Sequence, residues 1–211
     1  MTNFIPIFPL SIVVYPDELL NLHIFEPKYK QLINDSLKNK KPFGIPTVIN
    51  NAIAEMGTLV EVLEITKTYP NGEMDIKTKG LQIFNILEIV KEIPEKLYNG
   101  AIVNYPSNNL QGNRTLMNYV IESIKKLHVL LQVTKAFKKP IDTLCSYDVA
   151  HHAGLTLQEE YELLQLLNEL QRQEYLKQHL QKVFSIMNEM ELLKQKIHLN
   201  GHYKNISGFN V

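Results

Sequence analysis

Residues 58–79 read TLVEVLEITKTYPNGEMDIKTK. Leu59, Leu63, Ile65 and Tyr69 share one face at a period of two, and Glu64, Thr66 and Thr68 lie on the other, the signature of a half-buried strand. Val60 and Val62 fall on that second face, so the first half of the strand is expected to be buried on both sides. Pro70-Asn71-Gly72 is a tight turn, because Asn and Gly tolerate positive φ. Met74, Ile76 and Thr78 then alternate with Asp75, Lys77 and Lys79 on the way back. The stretch predicts an antiparallel hairpin, and with it a β-rich first half.

Outward from the hairpin, Gly80 is expected to break the return strand, and Leu81–Ile89 and Leu97–Tyr105 read as two more. Phe43–Ile49 is another, and Phe4–Leu10 and Ile12–Tyr15 are short segments bent by Pro9 and Pro16. Glu26–Leu37 reads as a helix. Glu26 and Pro27 occupy its first turn, where a carboxylate and a residue without an N–H both fit, and Tyr29, Leu32, Ile33 and Leu37 form its apolar stripe. Pro16–Leu22 is read as a loop. At least six strands and one helix before residue 106 predict a mostly antiparallel sheet, closed into a small barrel to avoid open edges.

The chain changes character near residue 110. Pro106–Arg114 is a polar linker candidate. Leu116–Phe137 is expected to be helical and to end at Pro140, with a shorter helix over Thr143–Ala153 and Gly154 just past its end. Thr156 with Glu159 has the capping-box spacing. Helical spacing continues to Leu199, as two helices meeting near Leu170–Glu174. The fold class is therefore α+β: a β-barrel over residues 1–110, a helical bundle over 111–200 and a flexible tail over 201–211.

Composition excludes several functions. The 211 residues carry 22 Lys+Arg against 22 Asp+Glu, one Cys and no Trp, and are 45% hydrophobic. That apolar share suits a folded globular chain. A single Cys145 excludes disulfides and CxxC metal or redox sites. Residues 1–110 hold ten Lys, no Arg and twelve Asp+Glu, which argues against nucleic acid as a partner. By segment the neutrality is a cancellation: residues 114–139 carry net +5, 142–174 net −6 and 177–204 net +3. Oppositely charged neighbouring helices fit complementary faces in a bundle. The apolar start lacks a basic n-region and is interrupted by Pro6, Pro9 and Pro16, so no export signal is read there. No stretch reaches the length of a membrane span, and a cytoplasmic location is expected.

No phosphate-binding glycine loop, nucleophile elbow or metalloprotease motif occurs, and no cofactor or catalytic residue is expected. His151 and His152 are adjacent, which points them about 100° apart on a helix and spoils joint metal ligation; one is expected at the core edge and one in solvent. Cys145 is expected to be a small buried residue. His23 and Glu26 are assigned structural work at a strand-to-helix junction. Val183, Ile186, Met190, Leu193 and Ile197 step by 3, 4, 3 and 4, a heptad-like seam that makes the last helix a candidate for self-association or partner docking.

The opening IPIFPLSIVVYPDELLNLHIFEPKYKQLI (residues 5–33) resembles the N-terminal, substrate-binding domain of Lon-type ATP-dependent proteases, a domain also found free-standing. The shared pattern is Phe8-Pro9-Leu10, then Val13 with Pro16, then Leu22-His23-Ile24-Phe25-Glu26-Pro27-Lys28-Tyr29. A second block is Gly57-Thr58-Leu59-Val60-Glu61-Val62 with the Pro70-Asn71-Gly72 turn, Asp75-Ile76, Gly80-Leu81 and Phe84. Val149-Ala150-His151-His152-Ala153-Gly154-Leu155-Thr156 is a third. Asp17 and Asn21 depart from the Gly and Pro that the family commonly carries there. The resemblance implies a PUA-like barrel plus a helical bundle that recognises protein substrates. It implies no enzyme, since neither the ATPase module nor the serine–lysine peptidase of Lon follows before Val211. On this reading Pro9, Leu10, Pro16, His23, Phe25, Glu26, Pro27, Tyr29, Gly57 and Gly80 are structural motif residues. Leu19 and Leu20, beside Asp17 and Glu18, are the candidate protein-binding pair. The expected partners are unfolded or degron-bearing proteins, with a protease or chaperone as associate. An RNA-binding PUA-like protein and a small-ligand sensor are the alternatives.

Overall fold

The computed structural model describes residues 3–203. Its centre is the expected hairpin, longer than its sequence signal: β4 (Ala52–Thr68) and β5 (Met74–Val90) each run 17 residues. Tyr69 and Glu73 close the turn, with Gly72 at φ 77°. The antiparallel order is β1 (Asn3–Pro6), β6 (Gly100–Asn104), β5, β4, β3 (Phe43–Ile49), and β2 (Leu19–Ile24) pairs with the first part of β5. The sheet closes on itself where the segment after β1 meets β3: Phe8 N–H donates to Gly44 O at 2.8 Å and Val48 N–H to Leu10 O at 2.8 Å. Pro9 and Leu10, the first motif residues, thus lie on the closing seam.

Three readings change. Gly80 does not end a strand; β5 continues through it, with the register against β4 shifting between Leu59 and Val60. A Cβ on Gly80 would stand 2.2 Å from Tyr15 O, so glycine there allows another segment to cross the sheet at contact distance. The register also shifts between Val62 and Glu64 and between Ile65 and Lys67. Residues 56–60 are all buried, so the first half of β4 is covered on both faces as read, whereas residues 63–68 are all exposed, Leu63 and Ile65 among them. Finally, residues 19–24 form a strand inside what reads as a loop running into a helix: Leu20, Leu22 and Ile24 face inward and Leu19, Asn21 and His23 outward.

Helix α1 (Pro27–Asn39) plugs one end of the barrel. Pro27 is its first residue and Glu26 its extended N-cap, with the Glu26 carboxylate paired to Lys28 at 3.1 Å rather than capping. Leu32 and Ile33 are sealed against Phe8, Phe43, Ile45, Val60 and Ile76, and Tyr29 stacks on Phe8 with ring centroids 3.8 Å apart. Gly57 faces β3 so closely that a Cβ would sit 2.4 Å from Ile45 O. His23 pairs with Asp75 across β2 and β5 at 2.6 Å, and Phe25 is 58% exposed.

The helical half is more broken than its periodicity suggests. Helix α2 (Arg114–Leu130) starts on Asn113, whose side chain accepts from Leu116 N–H, and stops seven residues short of Phe137. Gln132 turns left-handed at φ 54°, and the following loop folds back toward the barrel. The expected 143–153 helix is a 3₁₀ turn (Ile141–Thr143), α3 (Ser146–Val149) and a second 3₁₀ turn (Ala150–His152). The break arises because Asp148 reaches back to the Cys145 N–H at 2.9 Å and starts a fresh helix there. Helix α4 (Leu157–Gln165) carries the Thr156–Glu159 capping box as read. It meets α5 (Glu169–Tyr203) at Leu166–Asn168, a few residues before the predicted junction, where the Asn168 side chain accepts from Leu170 N–H. The expected tail is helical through Tyr203, and residues 204–211 lie outside the described residues.

Candidate functional site

The barrel and the helices share a core. Val13, Tyr15, Met56 and Ile83 from the barrel pack into one cluster with Met117, Val120, Ile124, Tyr147, Tyr161, Leu176 and Leu180. Residues 12–15, read as a strand segment, carry no strand pairing. They thread between the two halves: Val14 points into the barrel core and Val13 and Tyr15 toward the helices. Tyr15 stacks on Tyr147 at 5.2 Å and donates its hydroxyl to Glu160 O at 3.0 Å.

Past Tyr15 the chain reverses. Glu18 N–H donates to Tyr15 O, Pro16 holds the second position and Asp17 the third at φ 66°, the pattern of a type II turn. Glycine suits that third position sterically. Aspartate adds a carboxylate that Lys79 of β5 reaches at 2.7 Å and Lys139 of the helical half also contacts. Lys139 further pairs with Asp148 at 2.8 Å. Those hydrogen bonds hold Asp17 below the ordinary carboxylate pKa. Burial works against the Lys139 charge, but the bonds to Asp148 and Asp17 outweigh it and raise its pKa.

Glu18 makes a second connection. His151 Nδ1 lies 2.6 Å from Glu160 and its Nε2 3.2 Å from Glu18. Burial opposes protonation of the ring, yet hydrogen bonds to Glu160 and Glu18 carry its pKa up to about 9. His152 goes the other way: burial, with Lys135 next, lowers it to about 4. Its Nδ1 is buried without a hydrogen-bond partner, and the ring packs beside Phe137 and His128. Neither histidine stands free in solvent as expected of one of them. Among the described residues no three His, Cys, Asp or Glu side chains are grouped to hold a metal ion. Cys145 is half-buried, and burial with Asp148 beside it pushes its thiol up to about 12, which leaves it a poor nucleophile.

These groups line a cleft of ≈ 390 Å³ between Pro16–Leu19 on the barrel side and Lys135–Lys139, Tyr147, Asp148 and His151–His152 on the helical side. Leu19 is 43% exposed on its wall. Leu20, its proposed companion, packs toward the barrel core, and its carbonyl accepts from Thr78. The strand alternation separates the pair. His128, near the end of α2, sits 3.1 Å from the His152 carbonyl oxygen. Just past it Val129, Leu130, Leu131 and Val133 are 77, 51, 55 and 46% exposed. The sequence reading placed these residues in a helix interior and missed them as a surface.

A buried polar knot fixes the floor of the helical half. Arg172 Nε meets Glu169 at 2.9 Å, its Nη1 reaches Asn108 Oδ1 at 2.9 Å and its Nη2 Asn109 O at 3.0 Å. Glu169 also accepts from the Ser146 N–H and hydroxyl at 2.8 and 2.9 Å. The stretch read as a linker is thereby stitched to α5, with Asn109 N–H donating to Leu167 O.

An antiparallel barrel plugged by one helix and followed by helices that share its core is the architecture of Lon N-terminal domains. The Lon N-terminal domain protein from Xanthomonas campestris superposes with a TM-score of 0.61 at 19% identity, covering 82% of this chain and 96% of that one. The N-terminal domain of the Mycobacterium avium complex Lon protease does so at 0.63 and 14% identity, covering 85% and 98%. Residues 5–188 match the ATP-dependent protease La (LON) substrate-binding domain family. The chain belongs to that family and is a substrate-recognition module. Among the described residues no helix is long and apolar enough to cross a membrane.

Proposed function

We propose that this module acts without catalysis in the cytoplasm and captures unfolded or degron-bearing protein segments at the barrel–helix junction. The observation that carries the reading is the exposure of four large apolar side chains where α2 ends, Val129, Leu130, Leu131 and Val133, in the same helical half that forms one wall of a cleft whose other wall presents Leu19. Contiguous exposed apolar surface rimmed by charge marks protein contact. The charges of the cleft, Asp17, Glu18, Lys135, Lys138 and Lys139, give it both signs, which suits a mixed peptide better than a polyanion. A protease or chaperone that receives the captured segment is the natural associate, and a second copy of the chain is a further partner through the last helix.

Fluorescence anisotropy with a reduced, alkylated and therefore permanently unfolded protein tests the site. Leu19→Asp and the double substitution Leu130→Asp, Leu131→Asp are each expected to weaken binding about tenfold or more, the loss of one to two buried apolar side chains. Binding unchanged in both variants removes the cleft from the proposal.

A further inference from the structure

The charges of the junction cleft do not all have partners. Of the acids that line it, Asp17 is held by Lys79 and Lys139, Glu18 by His151 and the Tyr15 N–H, and Asp148 by Lys139 and the Cys145 N–H. Glu160, the other partner of His151, lies 2.6 Å from its Nδ1. Every one of these carboxylates is engaged. Lys135 and Lys138 on the helical wall are left over. Lys135 donates to the uncharged His151 carbonyl at 2.8 Å, and among the described residues neither lysine has a carboxylate within ion-pair distance. With His151 protonated, four acids meet five cations, Glu160 and Lys79 included. His152 senses that excess. It lines the same cleft, and its Nδ1 is sealed from solvent with no hydrogen-bond partner, which is exceptional in a folded chain. After burial, the groups that lower its pKa are Lys135, His128, His151 and Lys138, each a cation when protonated. The facing wall is apolar at Pro16 and Leu19.

We infer that the cleft receives the C-terminal end of a captured chain, its terminal carboxylate at Lys135 and Lys138 and its last side chain against Leu19. This occupant presupposes the capture at the junction proposed above and names the part of the substrate that the cleft selects. One carboxylate balances the one excess positive charge. A nucleic acid or a run of acidic residues brings more negative charge than the cleft lacks, and meets Asp17 and Glu18 on the facing wall. A volume of ≈ 390 Å³ is that of a small-ligand site, enough for the last residues of a chain and not for a folded partner. An internal segment has to leave the cleft as well as enter it, and a chain end does not.

Fluorescence anisotropy of the full chain with short, N-terminally labelled peptides ending in leucine tests this. The peptide with a free C-terminal carboxylate is expected to bind about tenfold or more tighter than the same peptide amidated, the worth of a charge-assisted hydrogen bond. Lys135→Met and Lys138→Met should each shrink that ratio and together bring it to about one, with the affinity for the amide unchanged. Both lysines are exposed, so the thermal midpoint should hold in these variants. In the wild type, the free-acid peptide should raise the pH at which the His152 ring titrates by NMR, and the amide should not, a readout that needs no substitution. Free acid and amide that bind alike, both weakened by Leu19→Asp, overturn the carboxylate site and leave capture at the junction standing. Binding of neither peptide removes both. An amidated peptide ending in glutamate that matches the free acid overturns the choice of the chain terminus. A ratio that survives in the double lysine variant overturns the assignment to Lys135 and Lys138.

Discussion

Arg172 and Glu169 form an ion pair one helical turn apart, 2.9 Å between Nε and carboxylate, with both side chains closed to solvent. The pair orders distant chain. Through Arg172 it holds Asn108 and Asn109, and through Glu169 it holds the start of α3 at Ser146. Removing one partner strands the other charge and several hydrogen bonds. Arg172→Ala is expected to lower stability by about 3–5 kcal/mol in urea unfolding. The double substitution Glu169→Leu, Arg172→Met should cost less than the single one, because no charge is left buried.

The two adjacent histidines predict a two-sided pH dependence. His151 is raised to about 9 in the fold, against an ordinary value near 6.5. Its contribution is complete below that ordinary value and is lost as pH rises through about 9. His152 is depressed to about 4. The unfolded chain takes up that proton first, so stability falls as pH drops from about 6.5 to 4. Thermal midpoints should therefore peak near pH 6–7. His151→Gln is expected to flatten the alkaline limb and His152→Gln the acid limb. Limbs unchanged by these substitutions would show that other groups set the profile.

Asp17 joins barrel to helices through an exposed ion pair, so its coupling is small and screenable. A double-mutant cycle of Asp17→Asn with Lys139→Met should give about 0.5–1 kcal/mol at low salt and near zero at ~1 M salt. Asp17→Gly loses the same pair but relieves the positive φ, and is expected to be closer to neutral than Asp17→Asn.

Gly80→Ala has no such relief. The new Cβ would meet the Tyr15 carbonyl at 2.2 Å, and that carbonyl belongs to the turn that places Asp17 and Glu18. A loss of about 1–3 kcal/mol is expected, together with weaker capture of unfolded protein in the anisotropy measurement.

Signals that act over a few residues were readable. Asn71-Gly72 placed the hairpin, Pro27 the start of α1 and Thr156 with Glu159 the start of α4. The short run Phe43–Ile49 was read as a strand and is β3 to the residue. The same alternation in Leu20, Leu22 and Ile24 could have revealed β2, but the charged turn before it and Glu26-Pro27 after it read as punctuation. Where the rest of the fold stops covering β4 leaves no local mark, so the exposure of residues 63–68, Leu63 and Ile65 among them, was hidden. Arg172 counted as an ordinary surface charge until the fold brought Asn108, Asn109 and Ser146 around Glu169 and itself. The cleft was equally non-local. Leu19 was singled out from composition alone, while its opposite wall depended on α2 ending early at Leu130. That ending goes with a loop that brings Lys135 to the His151 carbonyl and Lys139 to Asp17 across the junction, which no window of sequence contains.

The passage of residues 13–15 through the shared core sets an order of events during synthesis. These residues leave the ribosome more than a hundred residues ahead of Tyr147, Tyr161, Leu176 and Leu180, which complete their surroundings. Contacts of such wide sequence separation slow folding. Until the last helix is made, the early segment has only half its neighbours, so the nascent barrel waits with an apolar strip uncovered. The protein is then expected to unfold in one transition rather than two, barrel and helices losing structure together.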